Sequence, residues 1–335
     1  MSVVLTRSRV SNALRCYVSY ALSRLGSVLF RSSIHPFTHS PLFVSVEPAA
    51  VCQLRCPACP VGLRTPEVSK SRDVERMMSL DIWHRILAEI RDTAFIIQFY
   101  FQGEPLLNKD LPQMIREAHE AGLYTIVSTN AQAMTPEMAE QLVASGLDRI
   151  IISMDGLTDE SYNAYRIGGS LEKTKAALRF LREAKDRTPY TVHHTPIIEL
   201  QCLRLKTNEN EWAEFKRVYK NLGADRLVFK TAQLYDYADG HPLMPSDPRY
   251  SRYIQGSDGR YHRRSLRKGC FRVWSGVVIS TDGAVLPCCY DKAHEHAYGN
   301  ILTTSLRELF HNDQARTFRR AAFEQSPAIC QECYK

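Results

Sequence analysis

No apolar run among the 335 residues approaches the ~18 positions of a membrane-spanning helix, so the sequence offers no transmembrane candidate. Cysteine is too sparse for a disulfide scaffold: ten residues make about 3% of the chain, against the roughly 8–10% of such folds. Charged residues at 24% and hydrophobic residues at 44% exclude disorder along the whole chain. The length suits one large α/β domain, alone or with a small appendage. Acids are missing altogether from Met1 to Val46, a stretch that holds Arg7, Arg9, Arg15, Arg24 and Arg31. From Arg249 to Arg272 one acid, Asp258, stands against eight basic residues. Elsewhere acids outnumber bases, although the net charge is +7. Basicity confined to two places argues against a nucleic-acid partner and for two specific basic surfaces.

The acid-free segment places Leu14, Val18, Ala21, Leu22 and Leu25 on one helical face. A short N-terminal helix docked on the main domain through that stripe is the expectation. Weak contact with a membrane surface and an organelle transit peptide are the sharper alternatives. From Leu42 strands alternate with amphipathic stretches. The strands are expected at 42–47, 95–101, 124–129, 149–154, 197–203 and 226–230. Gly122, Gly146 and Gly223 each stand just before a strand, where a left-handed glycine ends a helix. Repeated β-α units imply a parallel sheet curling toward a barrel.

Side-chain alternation assigns the faces. Phe95, Ile97, Phe99 and Phe101 oppose Gln98, Tyr100, Gln102 and Glu104; Ile150, Ile152 and Met154 oppose Ser153 and Asp155. One face is apolar, for helices. The other is polar, as an open barrel with a polar ligand requires. The Pro-, Gly- and Asp-rich stretch 241–259 reads as a linker. A second module follows, with a hairpin turning at Asp282-Gly283, one helix over SLRELFHNDQARTFRRAA, and a closing Cys330-Gln-Glu-Cys333.

The cysteines cluster: Cys52, Cys56 and Cys59, then Cys270, Cys288, Cys289, Cys330 and Cys333. Such clusters point to metal or redox chemistry in a reducing compartment, here taken as the cytoplasm. Three thiolates on one short loop cannot close a tetrahedral site. They can hold three irons of a [4Fe–4S] cluster and leave the fourth open.

This Cx3Cx2C spacing after a first strand resembles the radical S-adenosylmethionine (radical SAM) superfamily. Gln102-Gly103-Glu104-Pro105 is similar to its GGEP element, Ser128-Thr129-Asn130 to its STN element, and Ser153-Met154-Asp155 to its S-x-D element; Arg166 matches an arginine that follows. Ala58 departs from the aromatic residue often found before the third cysteine. The resemblance implies an α/β fold, a partial (β/α)6 TIM-like barrel, over 42–240. It implies that Cys52, Cys56 and Cys59 bind a [4Fe–4S] cluster whose open iron binds S-adenosylmethionine. Gly103, Glu104, Pro105, Ser128, Asn130, Ser153, Asp155 and Arg166 would bind the cofactor. The reaction implied is reductive cleavage to a 5′-deoxyadenosyl radical, fed by a reductant such as flavodoxin or ferredoxin.

Residues 260–335 resemble the SPASM/twitch extension of such enzymes, a small α+β module. That implies one auxiliary [4Fe–4S] cluster on Cys270, Cys288, Cys330 and Cys333, with Cys289 as the alternative to Cys288. The same four thiolates would suit a zinc ribbon. A non-catalytic iron–sulfur or zinc protein is the competing class, against which the intact cofactor motifs argue. The substrate is unassigned: anionic, by the arginines near Arg272, or peptidic, for a maturase with a separate recognition partner. Residues 1–41 form the N-terminal segment; its acid-free helix supplies no motif residue, and deletion of Met1 to Arg31 is expected to leave cluster chemistry intact. Cys16 and Cys202 read as buried core cysteines, and His193-His194 as a solvent-exposed loop. Glu199, Gln201 and Lys230 are expected to face the lumen.

Overall fold

The alternating pattern produces six short strands: β1 (Phe43–Val46), β2 (Ile96–Phe99), β3 (Tyr124–Thr129), β4 (Arg149–Ser153), β5 (Ile197–Arg204) and β6 (Arg226–Thr231). In the computed structural model, which describes residues 3–29, 38–63, 77–188, 195–264, 269–324, 327–331 and 333, they pair in parallel and in chain order. Between them lie the helices α2 (Leu80–Ile90), α3 (Leu111–Glu120), α4 (Pro136–Ala144), α5 (Leu171–Arg187) and α6 (Trp212–Val218). The Ser79, Thr135 and Ser170 side chains accept from the backbone N–H groups of Ile82, Met138 and Lys173, satisfying donors that a helix start leaves free. Gly122, Gly146 and Gly223 take φ of +72°, +78° and +99°, the left-handed caps that the sequence implies. Ile97, Phe99, Ile150, Ile152, Ile198 and Leu200 are fully buried and share one core with the helices. The result is a partial (β/α)6 barrel.

Two expectations beyond β6 change. Residues 241–259 do not form a free tether. Leu243, Met244 and Tyr253 are buried in a second core with Leu54 and Cys56 of the first cysteine loop. Tyr253 also begins the strand β7 (Tyr253–Gln255), which pairs with β8 (Tyr261–Arg263). The hairpin at Gly283 (φ +85°) forms as expected, from β9 (Gly276–Ile279) and β10 (Ala284–Leu286). However, β9 also pairs in parallel with β1, so the C-terminal hairpin and β11 (Gly299–Asn300) extend the barrel sheet. Cys270 lies just before α7 (Phe271–Ser275). The expected single C-terminal helix is two, α8 (Leu306–His311) and α9 (Asp313–Glu324). Asn312 breaks it: its amide donates to the Tyr298 carbonyl and accepts from the Ala315 N–H.

The N-terminal helix α1 (Arg7–Leu29) is docked, but the other way round. Leu14, Val18, Leu22 and Leu25 face solvent, 43–61% exposed. The face against the body carries Arg9, Asn12, Cys16, Ser19 and Ser23, all buried. The cause is the surface beneath. Arg9 donates to the carbonyls of Arg91, Ala121 and Gly122, at the ends of α2 and α3, and to Val4 O, at 2.6–2.7 Å. Helix ends expose carbonyls that need donors, so this site selects a polar helix face. Asn12 pairs in both directions with Ser40, and Ser19 accepts from the Trp274 indole. Burial pushes the Cys16 thiol up to about 12, which suits the expected inert core cysteine. Cys202 is likewise fully buried. No helix among the described residues is long and apolar enough to cross a membrane. His193-His194 lie outside the described residues.

Replacing Arg9 by Ala should lower the urea midpoint by the equivalent of about 3 kcal/mol, because several buried carbonyls lose their donors at once. Leu14→Ala should stay within about 0.5 kcal/mol of the parent. Equal effects of the two would mean that α1 is not held by its polar face.

Candidate functional site

At the C-terminal ends of the strands, the loops after β1, β2, β3 and β4 enclose a cavity of about 260 Å³. Cys52, Cys56 and Cys59 line it together with Gly103, Glu104, Ser128, Asn130, Ser153 and Arg166. Local rules seat each loop. Cβ on Gly103 would stand 1.9 Å from the Ala49 carbonyl oxygen, so only glycine lets this loop close on the cysteine loop. The Glu104 N–H then donates to Val51 O at 2.8 Å, one residue before Cys52.

Glu104 is 2% exposed and accepts three hydrogen bonds: from Leu106 N (3.1 Å), Thr129 Oγ1 (2.5 Å) and Asn130 N (2.8 Å). It thereby ties the loop after β2 to the loop after β3. Burial holds its carboxyl above the usual range, with those hydrogen bonds opposing the rise.

Asp155 differs from expectation. It is fully buried and absent from the cavity wall, with one oxygen on Arg166 Nε at 2.6 Å and the other on Leu203 N at 2.6 Å. Both oxygens are thus engaged by the protein, and the carboxylate presents Arg166 to the cavity. Pro105 is also behind the wall, where it starts a turn of 3-10 helix.

Burial pushes the Cys52 thiol up to about 11 and raises Cys56 as well. Buried thiols kept neutral in this way become good ligands when a cation replaces the proton. Donors already point at the sulfurs: Leu54 N and Asn130 Nδ2 at 3.4 Å from Cys52 Sγ, and Arg166 Nη1 at 3.9 Å from Cys56 Sγ. Gln102 Oε1 is buried on the wall without a hydrogen-bond partner among the described residues, an acceptor awaiting a donor. Tyr165, Tyr235 and Lys292 also line the cavity and were not singled out by sequence. Lys292 comes from the C-terminal segment; its carbonyl accepts from the Gln102 amide at 3.0 Å.

A second cavity of about 490 Å³ brings Cys270, Cys288, Cys289, Cys330 and Cys333 together. Phe43, Gln98 and Arg272 line it, as do Tyr20 and Arg24 of α1, so the N-terminal segment forms part of this wall. Burial pushes the Cys330 thiol up to about 11 and raises Cys288 further, each with help from Cys270. Cys289 lies near Arg272 and Tyr100. Among the described residues, no three Cys, His, Asp or Glu side chains converge closely enough to hold a single metal ion. Gln98 on β2 and Tyr100, just beyond its end, line the second and the first cavity respectively.

The other lumen candidates divide. Glu199 is 3% exposed and paired with Arg226 and Arg149, a satisfied core carboxylate rather than a free contact. Gln201 is half-buried. Lys230 is exposed at the β6 edge and lines neither cavity.

A family model described as the radical SAM superfamily matches residues 46–199, and one described as an iron-sulfur cluster-binding domain, SPASM, matches residues 270–334. The chain is 26% identical to the PqqA peptide cyclase of Ruegeria pomeroyi over 317 residues, covering 88% of this chain and 80% of that protein. It is 26% identical to the AdoMet-dependent heme synthase of Methanosarcina barkeri over 318 residues, covering 84% and 85%. The crystal structure of Streptococcus suis SuiB bound to the precursor peptide SuiA has the same fold, with a TM-score of 0.61 at 15% identity, covering 89% of this chain and 71% of that one.

Gly103→Ala should force the loop after β2 off the Ala49 carbonyl. The expected result is a lower urea midpoint, by roughly 3 kcal/mol, and less iron retained after anaerobic reconstitution. A parental midpoint and iron content together would show that the two loops need no close contact.

Proposed function

We infer the chemistry from membership: the chain belongs to the radical SAM superfamily, is a radical SAM enzyme, and ends in an iron–sulfur cluster-binding SPASM domain. Once bound, a [4Fe–4S] cluster with an open iron and S-adenosylmethionine supply reductive cleavage and a 5′-deoxyadenosyl radical that takes hydrogen from a substrate. We assign that cluster to Cys52, Cys56 and Cys59. The N–H groups aimed at Cys52 Sγ and the Arg166 guanidinium near Cys56 Sγ stabilise negative charge on sulfur. Glu104 and the unpaired Gln102 Oε1 offer acceptors for an ammonium group. Ser128, Asn130 and Ser153 offer neutral hydrogen bonds, and Arg166 a carboxylate partner. Asp155 acts through Arg166, as a positioning residue. Tyr165 and Tyr235 supply the aromatic surface that Ala58 lacks.

The auxiliary [4Fe–4S] cluster is assigned to Cys270, Cys288, Cys330 and Cys333. Cys288 is preferred to Cys289 because it is buried beside Cys270 and Cys330 as well as beside Cys289, while Arg272 lies near all of Cys270, Cys288 and Cys289. The match of residues 270–334 to an iron-sulfur cluster-binding domain supports a cluster over a zinc ribbon.

One observation carries the overall reading: Gln98 on β2 and Tyr100 just beyond its end, two residues apart on one polar face, line the second and the first cysteine-lined cavity. Gln98 and Tyr100 are about 7 Å apart at the rise of a strand. A substrate in this lumen lies between the place of hydrogen removal and a second redox centre. Burial raises the Tyr100 phenol, which keeps it a neutral donor near pH 7. The preferred substrate is a segment of a peptide or protein. The relationship to a peptide cyclase supports this, and so does the β6 edge, which no further strand covers among the described residues. An external reductant such as flavodoxin or ferredoxin supplies the electron.

Anaerobic reconstitution and dithionite should yield 5′-deoxyadenosine from S-adenosylmethionine. The Cys52/Cys56/Cys59→Ala variant should yield none and should hold about four irons and four sulfides, against about eight of each in the parent. Undiminished 5′-deoxyadenosine from the variant would refute the assignment, and one zinc without sulfide would establish a ribbon. In that background, Cys288→Ala should make the remaining cluster labile, while Cys289→Ala should retain it. The reverse order would exchange their roles.

A further inference from the structure

We propose that α1 is an interfacial helix that docks the enzyme on a membrane surface rich in anionic lipid, through the apolar face it turns to solvent. Its polar face is spent on the body of the protein, where Arg9, Asn12, Cys16, Ser19 and Ser23 are buried. The opposite face is apolar. Val10, Leu14, Tyr17, Val18, Leu22 and Leu25 are 43–61% exposed. At about 100° per residue they span an arc of roughly 140°, centred about 180° from the buried face. Just before the helix Leu5 is 67% exposed, and Val4, 55% exposed, lies beside Gly122 and Arg9. These eight residues are more than half of the large apolar side chains exposed among the described residues. Such a contiguous patch marks a contact surface rather than scattered surface residues.

Charge decides what covers it. Arg15 is exposed at one edge of the arc and Arg7 at its N-terminal end, while Arg24, at the other edge, also lines the second cavity. No acid occurs before Glu47. An apolar stripe bordered by arginines fits the plane between acyl chains and anionic headgroups, where the long side chains reach outward to phosphate. A second copy of this chain would set arginine against arginine with no acid to compensate. The docking also has a rigid base. Arg9 holds the helix to three carbonyls of the body, so its orientation is fixed before any lipid is met and little ordering remains to oppose binding. This inference does not depend on the assignment of the cysteine clusters.

The test is flotation of the full chain, anaerobically reconstituted, with two kinds of vesicle: phosphatidylcholine alone, and the same lipid with a third replaced by phosphatidylglycerol. The chain should float with the anionic vesicles, weakly or not at all with the neutral ones, and less as salt rises. Arg7→Gln and Arg15→Gln should each weaken binding about fivefold. Leu14→Glu with Val18→Glu should abolish it. The urea midpoint and iron content should stay at the parental level, because both positions are exposed. No association with anionic vesicles at low salt overturns the proposal. So does equal binding by the double Glu variant. Light scattering decides between lipid and self-association: a dimer dissolved by the Glu variant, with no vesicle binding, would mean that a second copy covers the face.

Discussion

Two buried carboxylates, Glu104 and Asp155, brace the loops that make the first cavity. Glu104 receives Thr129 and Asn130 and so fixes the loop after β3 against the loop after β2. Asp155 receives Leu203 N from β5 and the Arg166 guanidinium, which in turn reaches Cys56. Burying a carboxylate is costly unless its hydrogen bonds are made, so each of these loops has one low-energy arrangement. The cysteine loop is pressed against that frame by the Gly103–Ala49 contact and by Leu54 in the second core. A cofactor cavity therefore exists before any ligand arrives, which lowers the ordering cost of binding.

The same economy governs the C-terminal module. Pairing β9 with β1 satisfies a sheet edge that would otherwise be open, and it carries the hairpin cysteines to the lumen. Cys270, Cys288, Cys289, Cys330 and Cys333 come from three separate stretches, and the sheet extension makes them neighbours. Lys292, on the same module, reaches the first cavity. The two parts of the chain thus share both the sheet and the site.

The orientation of α1 shows how backbone polarity can outrank side-chain hydrophobicity. The surface beneath it is set by carbonyls at the ends of α2 and α3, and an apolar stripe there would take the donor from those of Arg91 and Ala121 at a cost of about 1–3 kcal/mol each. A polar face answers that demand, so the apolar face turns outward. Tyr20, on the flank, closes the second cavity through its hydrogen bond to Gly269 O and its packing on Phe271.

Much of the fold was legible because its causes are local. Period-two alternation located the six strands to within a residue or two, and the glycine before β3, β4 and β6 has the expected positive φ. The Cx3Cx2C spacing and the elements around Glu104, Asn130 and Ser153 marked loops that do meet at one cavity. Other features belong to contacts between distant segments. Asp155 turned from the cavity to Arg166 and Leu203 because a neighbouring strand offered it an N–H. Leu243, Met244 and Tyr253 of the 241–259 stretch joined a core because Leu54 and Cys56 needed cover. The hairpin joined β1, and α1 chose its polar face, because unpaired backbone groups on another element required partners. Spacing along one chain determines which side chains share a face. Which face is buried depends on the hydrogen-bonding groups opposite it, and only the tertiary structure supplies those.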